Sequence, residues 1–181
     1  MSTTSSPNAL ASLGLRLVPA QEANPAAVLR FESENREYFR RWIPDRGDAY
    51  YDLEAVAASL DDAGCWWDDG SDRLHVVSDP AGEVVGRANL VDVAEGRASL
   101  GYRVAGPHNG RGIATAAVTD LLTSAPRWGI SRLCAETSTV NPGSARVLER
   151  CGVAHVRTRE DALELGDRTL DALDWESFVS E

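Results

Sequence analysis

The feature that most constrains this chain is a change of hydrophobic period at residue 112. Ahead of it, three strand-like segments are joined by connections too short for anything but antiparallel neighbours. Leu74-His75-Val76-Val77 runs into the turn Asp79-Pro80-Ala81-Gly82, residues 83–91 are largely apolar, Glu95-Gly96 turns the chain again, and residues 98–104 complete the meander. Beyond it, Ile113, Ala117, Val118, Leu121 and Leu122 recur at the spacing of one helix face as far as Ser124. The joint between strand and helix is Asn109-Gly110-Arg111-Gly112-Ile113-Ala114. Glycine reaches backbone angles closed to other residues and lets main chain approach a ligand. The helix beginning there adds unpaired N–H donors and the positive end of its dipole. Arg111 adds a full charge. Together these describe an anion site suited to phosphate oxygens.

The remaining elements are read around this joint. Residues 14–18 alternate as a first strand. Asn24 and Pro25 read as the cap and first residue of a helix carrying Val28, Leu29, Phe31, Phe39 and Trp42 on one stripe, stopped by Pro44. A second helix is predicted over residues 52–63, with residues 64–70 as a loop holding Trp66 and Trp67. After the long helix come a strand at 132–137, a short helix at 142–150 closed by Gly152, and strands at 153–157 and 169–175. The order is one strand, two helices, three strands, helix, strand, helix, two strands. The fold class expected is α/β (α+β): a mixed, mostly antiparallel sheet of about seven strands with helices on both faces. Its 181 residues suggest one domain, assigned to residues 13–181, behind a Ser/Thr/Ala-rich tail over residues 1–12 expected to be disordered.

Composition removes several function classes. The tail lacks the charged and apolar regions of a secretory signal, and no apolar run nears the ~18 residues of a membrane span. A cytoplasmic location without membrane contact is therefore the default. Three scattered cysteines, Cys65, Cys134 and Cys151, form no ligand pattern and read as buried reduced thiols; with three equally scattered histidines they give no reason to expect a metal. A net charge of -10 argues against nucleic acid. It attracts cations at long range and serves solubility equally well. The turn is neither a G-x-G-x-x-G dinucleotide pattern nor a Walker A loop, since no lysine follows and the chain contains none.

A second motif lies about thirty residues beyond the turn: Asn141-Pro142-Gly143-Ser144-Ala145-Arg146-Val147-Leu148-Glu149-Arg150-Cys151-Gly152-Val153. Together the two resemble the GCN5-related N-acetyltransferases. The turn is similar to their motif A, Q/R-x-x-G-x-G/A, reading Asn109-x-x-Gly112-x-Ala114 here. The second stretch resembles the N-x-x-S-x-x-v-l-e-k-x-G-F signature of the RimJ/RimL-like branch, and Glu34-Asn35-Arg36 through Trp42-Ile43-Pro44 is similar to that branch's opening. The resemblance spans residues 14–178. Asn109 stands in place of the usual Gln or Arg, Ala116 where many relatives carry Glu, and Val153 where Phe is common.

The resemblance implies two parallel strands splayed in mid-sheet, with acetyl-CoA as donor and its pantetheine arm lying between them. Tyr102, Arg103 and Val104 of the strand, then Asn109, Gly110, Arg111, Gly112, Ile113, Ala114 and Thr115 of the turn, and Asn141 with Ser144, are the cofactor-binding set it implies. The reaction implied is direct attack of an amine on the thioester, which needs a base for the ammonium and an acid for the departing thiolate. Ser144 is the candidate acid by resemblance; its bland alternative is to cap the helix after Pro142. Tyr102 is a second candidate acid. Glu160 is the candidate base, with Asp161, Glu164, Glu34, Glu136 or water as alternatives. Tyr38, Trp42, Trp66 and Trp67 fall where the family builds its acceptor wall, and aromatic faces hold cations; core packing explains Tyr38 and Trp42 as readily. The acceptor implied is a small amine or a protein N-terminus, and a homodimer is compatible. Two other readings are a non-catalytic acyl-CoA sensor and a phosphate-binding hydrolase, the latter opposed by the absence of lysine in the turn.

Overall fold

The meander forms as its alternation requires, and everything else is arranged on it. The computed structural model describes residues 8–180. Its strands are β1 (Arg16–Pro19), β2 (Arg73–Ser78), β3 (Val84–Ala94), β4 (Arg97–Val104), β5 (Arg132–Ser138), β6 (Ala154–Leu165) and β7 (Arg168–Phe178). They make one sheet in the order β1-β2-β3-β4-β5-β7-β6, antiparallel throughout except for the β4–β5 pair. This is the seven-stranded mixed sheet expected from the order of periods.

The helices are α1 (Pro25–Glu34), α2 (Arg36–Phe39), α3 (Leu53–Asp69), α4 (Ile113–Ser124) and α5 (Pro142–Arg150). Strand alternation sends neighbouring side chains to opposite faces, so each half of the meander feeds a separate core. Val76 and Val84 join Val28, Phe31, Phe39, Val56 and Leu60 beneath α1, α2 and α3. Val77, Ala88, Leu90, Leu100 and Val104 join Ile113, Val118, Leu121, Leu133, Leu148 and Trp175 beneath α4 and α5.

Three local expectations need correction. The single helix read over residues 25–42 breaks at Asn35, whose Nδ2 donates to Phe31 O (2.8 Å) and whose Oδ1 accepts Gly106 N–H (2.9 Å). The side chain therefore serves the strand-to-turn connection rather than the helix. The loop read over residues 64–70 is instead the last part of α3, which ends at Gly70 in the left-handed region (φ 87°) with its N–H on Trp66 O. The cysteines are free but not buried: Cys65 is exposed, and Cys134 and Cys151 are half-buried. At the other end of the chain order, residues 1–7 lie outside the described residues, while the last part of the expected tail is ordered. Leu10 is fully buried, and Asp120 accepts the Ala9 and Leu10 N–H groups at 2.7 and 3.0 Å.

Trp67 and Trp128 enclose His75, with ring centroids 5.3 and 5.7 Å from the imidazole. Burial pushes this histidine down to about 4. An unfolded chain protonates it at about 6.5, so the folded state binds fewer protons between those values. His75 therefore contributes stability that is complete above pH 6.5 and is lost as pH falls toward 4. Calorimetric Tm curves for the wild type and His75→Gln should converge over this window as pH is lowered; parallel curves would refute the assignment.

Candidate functional site

The parallel pair is the irregular part of the sheet. β4 and β5 are in register only at Arg97↔Arg132, Ala98↔Leu133 and Ser99↔Cys134. Beyond that point β4 stays paired to β3 as far as Gly86↔Val104, and β5 stays paired to β7 as far as Ser138↔Ala172. The two strands therefore separate in mid-sheet, each held by its outer neighbour. Backbone polar groups of residues 100–104 face a gap in place of a partner strand. This is the splay that the resemblance implied.

The turn sits at the end of β4. Residues Gly106–His108 form a short 3-10 turn, and Gly110 and Gly112 take φ of 74° and 79°, as the sequence required of glycine. The first helical hydrogen bond of α4 runs from Ala116 N–H to Gly112 O (2.9 Å). The N–H groups ahead of it are free of the helix ladder and point from its positive end. Arg111 is exposed beside them. Asn109, at the position of the motif's first polar residue, is exposed but tied back onto the protein: Nδ2 donates to Tyr38 Oη (2.7 Å) and Gly106 O (3.2 Å). Its side chain shapes the turn, leaving backbone and Arg111 to meet an anion.

Across the gap stands the second motif. Asn141 is the cap of α5, its Oδ1 accepting Ser144 N–H at 3.2 Å. Ser144 is thereby released from capping, and its Oγ lies 2.8 Å from Tyr102 Oη, which also donates to Ser144 O at 3.0 Å. Burial pushes the Tyr102 phenol up to about 12. Near neutral pH it remains protonated and able to donate. Tyr102 and Ser144 thus form one hydroxyl pair bridging β4 and α5 over the gap.

The structure brings some expected residues to this place and not others. Val104, Gly110, Arg111, Gly112, Ile113, Ala114 and Thr115 line the turn and helix start, with Tyr38 at its rim over Gly106. The Arg103 side chain leaves the gap and reaches Glu32 on α1. Trp42 is half-buried just beyond α2. Trp66 and Trp67 lie at the opposite end of the sheet, where Ser71, just after α3, accepts Val93 N–H from the far end of β3 (2.8 Å). Trp67 is engaged there by His75, Trp128 and Arg73. Among the carboxylates, Glu136 pairs with Arg159 and Glu164 accepts from Thr169, whereas Glu160 and Glu34 are exposed without an ion pair among the described residues. Asp161, also exposed, stands beside Glu160 in the left-handed region (φ 48°) where β6 bulges away from β7. No cluster of three His, Cys, Asp or Glu groups suited to a metal occurs among the described residues.

Sequence reasoning passed over the groups on the other face of β4. Glu32 is fully buried and accepts from both Arg87 (3.2 Å) and Arg103, and Arg87 also reaches Tyr50 Oη (3.4 Å). These residues are 55 and 71 positions apart from Glu32 in the chain, so no local pattern announces them. The available signal was a charged residue, Glu32, within the apolar stripe of α1.

Residues 13–154 match the family model described as an acetyltransferase (GNAT) domain. The chain belongs to this family. A probable N-acetyltransferase of Bacillus subtilis, YjcK, is 27% identical over 139 residues, covering 74% of this chain and 77% of its own length. The structure of RimL, a ribosomal L7/L12 alpha-N-protein acetyltransferase in complex with coenzyme A, superposes with a TM-score of 0.83 at 18% identity, covering 92% of this chain and 94% of RimL. Spermidine N-acetyltransferase from Vibrio cholerae, in complex with coenzyme A and spermine, does so with a TM-score of 0.76 at 15% identity, covering 92% and 96%. The GNAT fold accounts for the separated strands as well as the sheet order.

Gly112 allows a direct check of the turn. A Cβ there meets nothing within 4 Å, so Gly112→Ala isolates the cost of φ 79° from any clash. That cost is roughly 1–2 kcal/mol for an L-residue. Thermal denaturation should read a destabilisation of that order; an unchanged Tm would mean that the left-handed angle at Gly112 carries no strain.

Proposed function

We propose that this acetyltransferase binds acetyl-CoA with its pyrophosphate on the turn at residues 109–115 and its pantetheine arm in the gap between β4 and β5, and passes the acetyl group to a primary amine by direct attack. The observation that carries the reading is the free edge of β4 opening beside the α4 N-terminus. Free main-chain groups suit the amides of an extended arm, and unpaired N–H groups with a helix dipole suit phosphate. Asn141, by fixing the start of α5, sets where the Ser144 hydroxyl meets the arm.

The amine nitrogen attacks the thioester carbon, the C–N bond forms and the C–S bond breaks. The nitrogen sheds its remaining extra proton to solvent as the amide forms, and the leaving thiolate takes a proton from the Ser144–Tyr102 hydroxyl pair, which is recharged from solvent. Glu160, exposed and free of ion pairs among the described residues, receives the proton that the ammonium must lose before attack. The acceptor is a small amine or a protein N-terminus. The enzyme works in the cytoplasm; no described helix is long and apolar enough to cross a membrane.

Following thiol release from acetyl-CoA with a panel of amines tests the reading; no turnover with any amine, alongside tight acetyl-CoA binding, would favour a sensor instead. General acid catalysis contributes about 10²–10⁴-fold. Ser144→Ala and Tyr102→Phe should each lower kcat by roughly 10²-fold with little change in the acetyl-CoA KM, and the double variant should be no worse than either, because two groups acting as a unit are not additive. Multiplicative losses would mean that the hydroxyls act separately. Glu160→Gln should lower kcat/KM for the amine while the acetyl-CoA KM holds; an unchanged kcat/KM would assign the base elsewhere.

A further inference from the structure

In the acetyl-transfer reading the donor reaches the β4–β5 gap from the side of the turn, α4 and α5. An acceptor must therefore approach the thioester from the other face, where Arg87 and Arg103 lie. These two arginines stand directly opposite each other across the β3–β4 pair. Like charges at such a position repel, and one resident carboxylate, Glu32, holds them together through Oε1 alone. Glu32 Oε2 and Arg87 Nε are buried without a hydrogen-bond partner among the described residues. Arg103 makes its one hydrogen bond among the described residues through Nη2, and its guanidinium, mostly buried, stacks on the Phe39 ring at 5.0 Å with its other N–H groups unpaired among the described residues. A third arginine continues the series outward: Arg46, exposed, stacks on the Tyr50 ring at 4.5 Å, and Tyr50 Oη receives Arg87.

Most of the acidic groups on neighbouring elements are committed elsewhere, Glu34 and Glu160 being the exposed exceptions without an ion pair among the described residues. Asp45 and Asp48 pair with Arg36, Glu37 with Arg40, and Glu136 and Asp174 with Arg159. Arg87 and Arg103 thus share one carboxylate, with the exposed Arg46 beside them on Tyr50, and the cluster keeps a positive excess despite the chain's charge of -10. Burial makes such an excess costly unless an anion supplies the missing partner.

We propose that Arg46 and Arg103, backed by Arg87, Tyr50 and Glu32, receive a carboxylate of the acceptor, so that the preferred substrate is an amine carrying a carboxylate close to its amino group. This chemistry is found in a free amino acid and in a protein N-terminus with an acidic residue near its start. It opposes a polyamine. The inference rests on the acetyl-transfer reading above and adds the charge of the acceptor.

Thiol release measured with the full chain tests it. The amines are the amides Ser-Glu-Ala, Ser-Gln-Ala and Ser-Lys-Ala, free serine against serine amide, and spermidine. A hydrogen-bonded ion pair is worth roughly tenfold or more in kcat/KM. The acidic peptide should exceed its neutral isostere by that ratio, with the lysine peptide and spermidine lowest; the serine pair tells whether a free amino acid serves as well. Arg46→Glu should erase or reverse the ranking while the acetyl-CoA KM holds, and because Arg46 is exposed this variant does not depend on refolding a buried cluster. Arg103→Met should weaken the same preference. Transfer without a charge ranking, a preference for spermidine, or a ranking untouched by Arg46→Glu would overturn the inference and leave the acetyltransferase intact. No transfer to any amine would overturn both.

Discussion

The separation of β4 from β5 is the constraint on which the rest of this structure depends. A pair of parallel strands gains a hydrogen bond for nearly every residue kept together, and leaving such groups buried and unmade costs about 1–3 kcal/mol each. The chain opens the pair after Ser99 and Cys134 without losing the sheet, because each half is anchored separately. β3 holds β4 to its last residue, and β7 holds β5 along its whole length. The single core beneath α4 and α5 then draws on both halves, with Leu100 and Val104 from one and Leu133 and Trp175 from the other. Trp175 Nε1 donates to Thr137 Oγ1 (2.8 Å), fastening the β5 side where it diverges. The gap is consequently a fixed feature of the packing, and Tyr102 and Ser144 are the polar contact that spans it.

What the sequence disclosed follows from the range over which each interaction acts. The turn at residues 109–115 is a local device: two glycines, a helix start and an arginine are contiguous, and the backbone angles they permit are the ones found. The seven strands and the order of the main helices were equally legible, because alternation and helical spacing are properties of short windows. The break at Asn35 was not, since it exists to satisfy Gly106 from 71 residues away. Nor was the length of α3. Trp66, Trp67, Asp68 and Asp69 look like a loop by composition, but Gly70 closes the helix after them. The buried Glu32 cluster was out of reach for the same reason as Asn35: its partners come from three elements, and pattern within any one of them says nothing of the other two.

Position also alters what a residue type means. Aromatic side chains near acidic ones read, in one dimension, as a surface for a cation. In the fold Trp67 and Trp128 are spent on enclosing a neutral histidine and on stacking with Arg73, far from the turn. Tyr38, read as part of the acceptor wall or of the core, holds Asn109 at the turn by a hydrogen bond. The residue that departs from the family motif is thus coupled to the helix pair on the opposite side of the strand, and the donor turn is built partly by the elements that border the acceptor face.

That coupling bears on how charge is distributed. A net charge of -10 describes the field at a distance, where it draws cations and is screened within about a Debye length, some 8 Å at physiological salt. On the α1 face the local balance is reversed, since Arg87 and Arg103 share Glu32 and Arg46 stands beside them on Tyr50. Recognition is decided at contact distance and in partly buried surroundings, where a guanidinium fork and a carboxylate interact more strongly than dispersed surface charges do. Burial lowers Arg103 to about 10, and at neutral pH it is still charged. The acidic exterior therefore does not choose the substrate; in the reading proposed above, the arginines behind it supply the sign that the acceptor has to match.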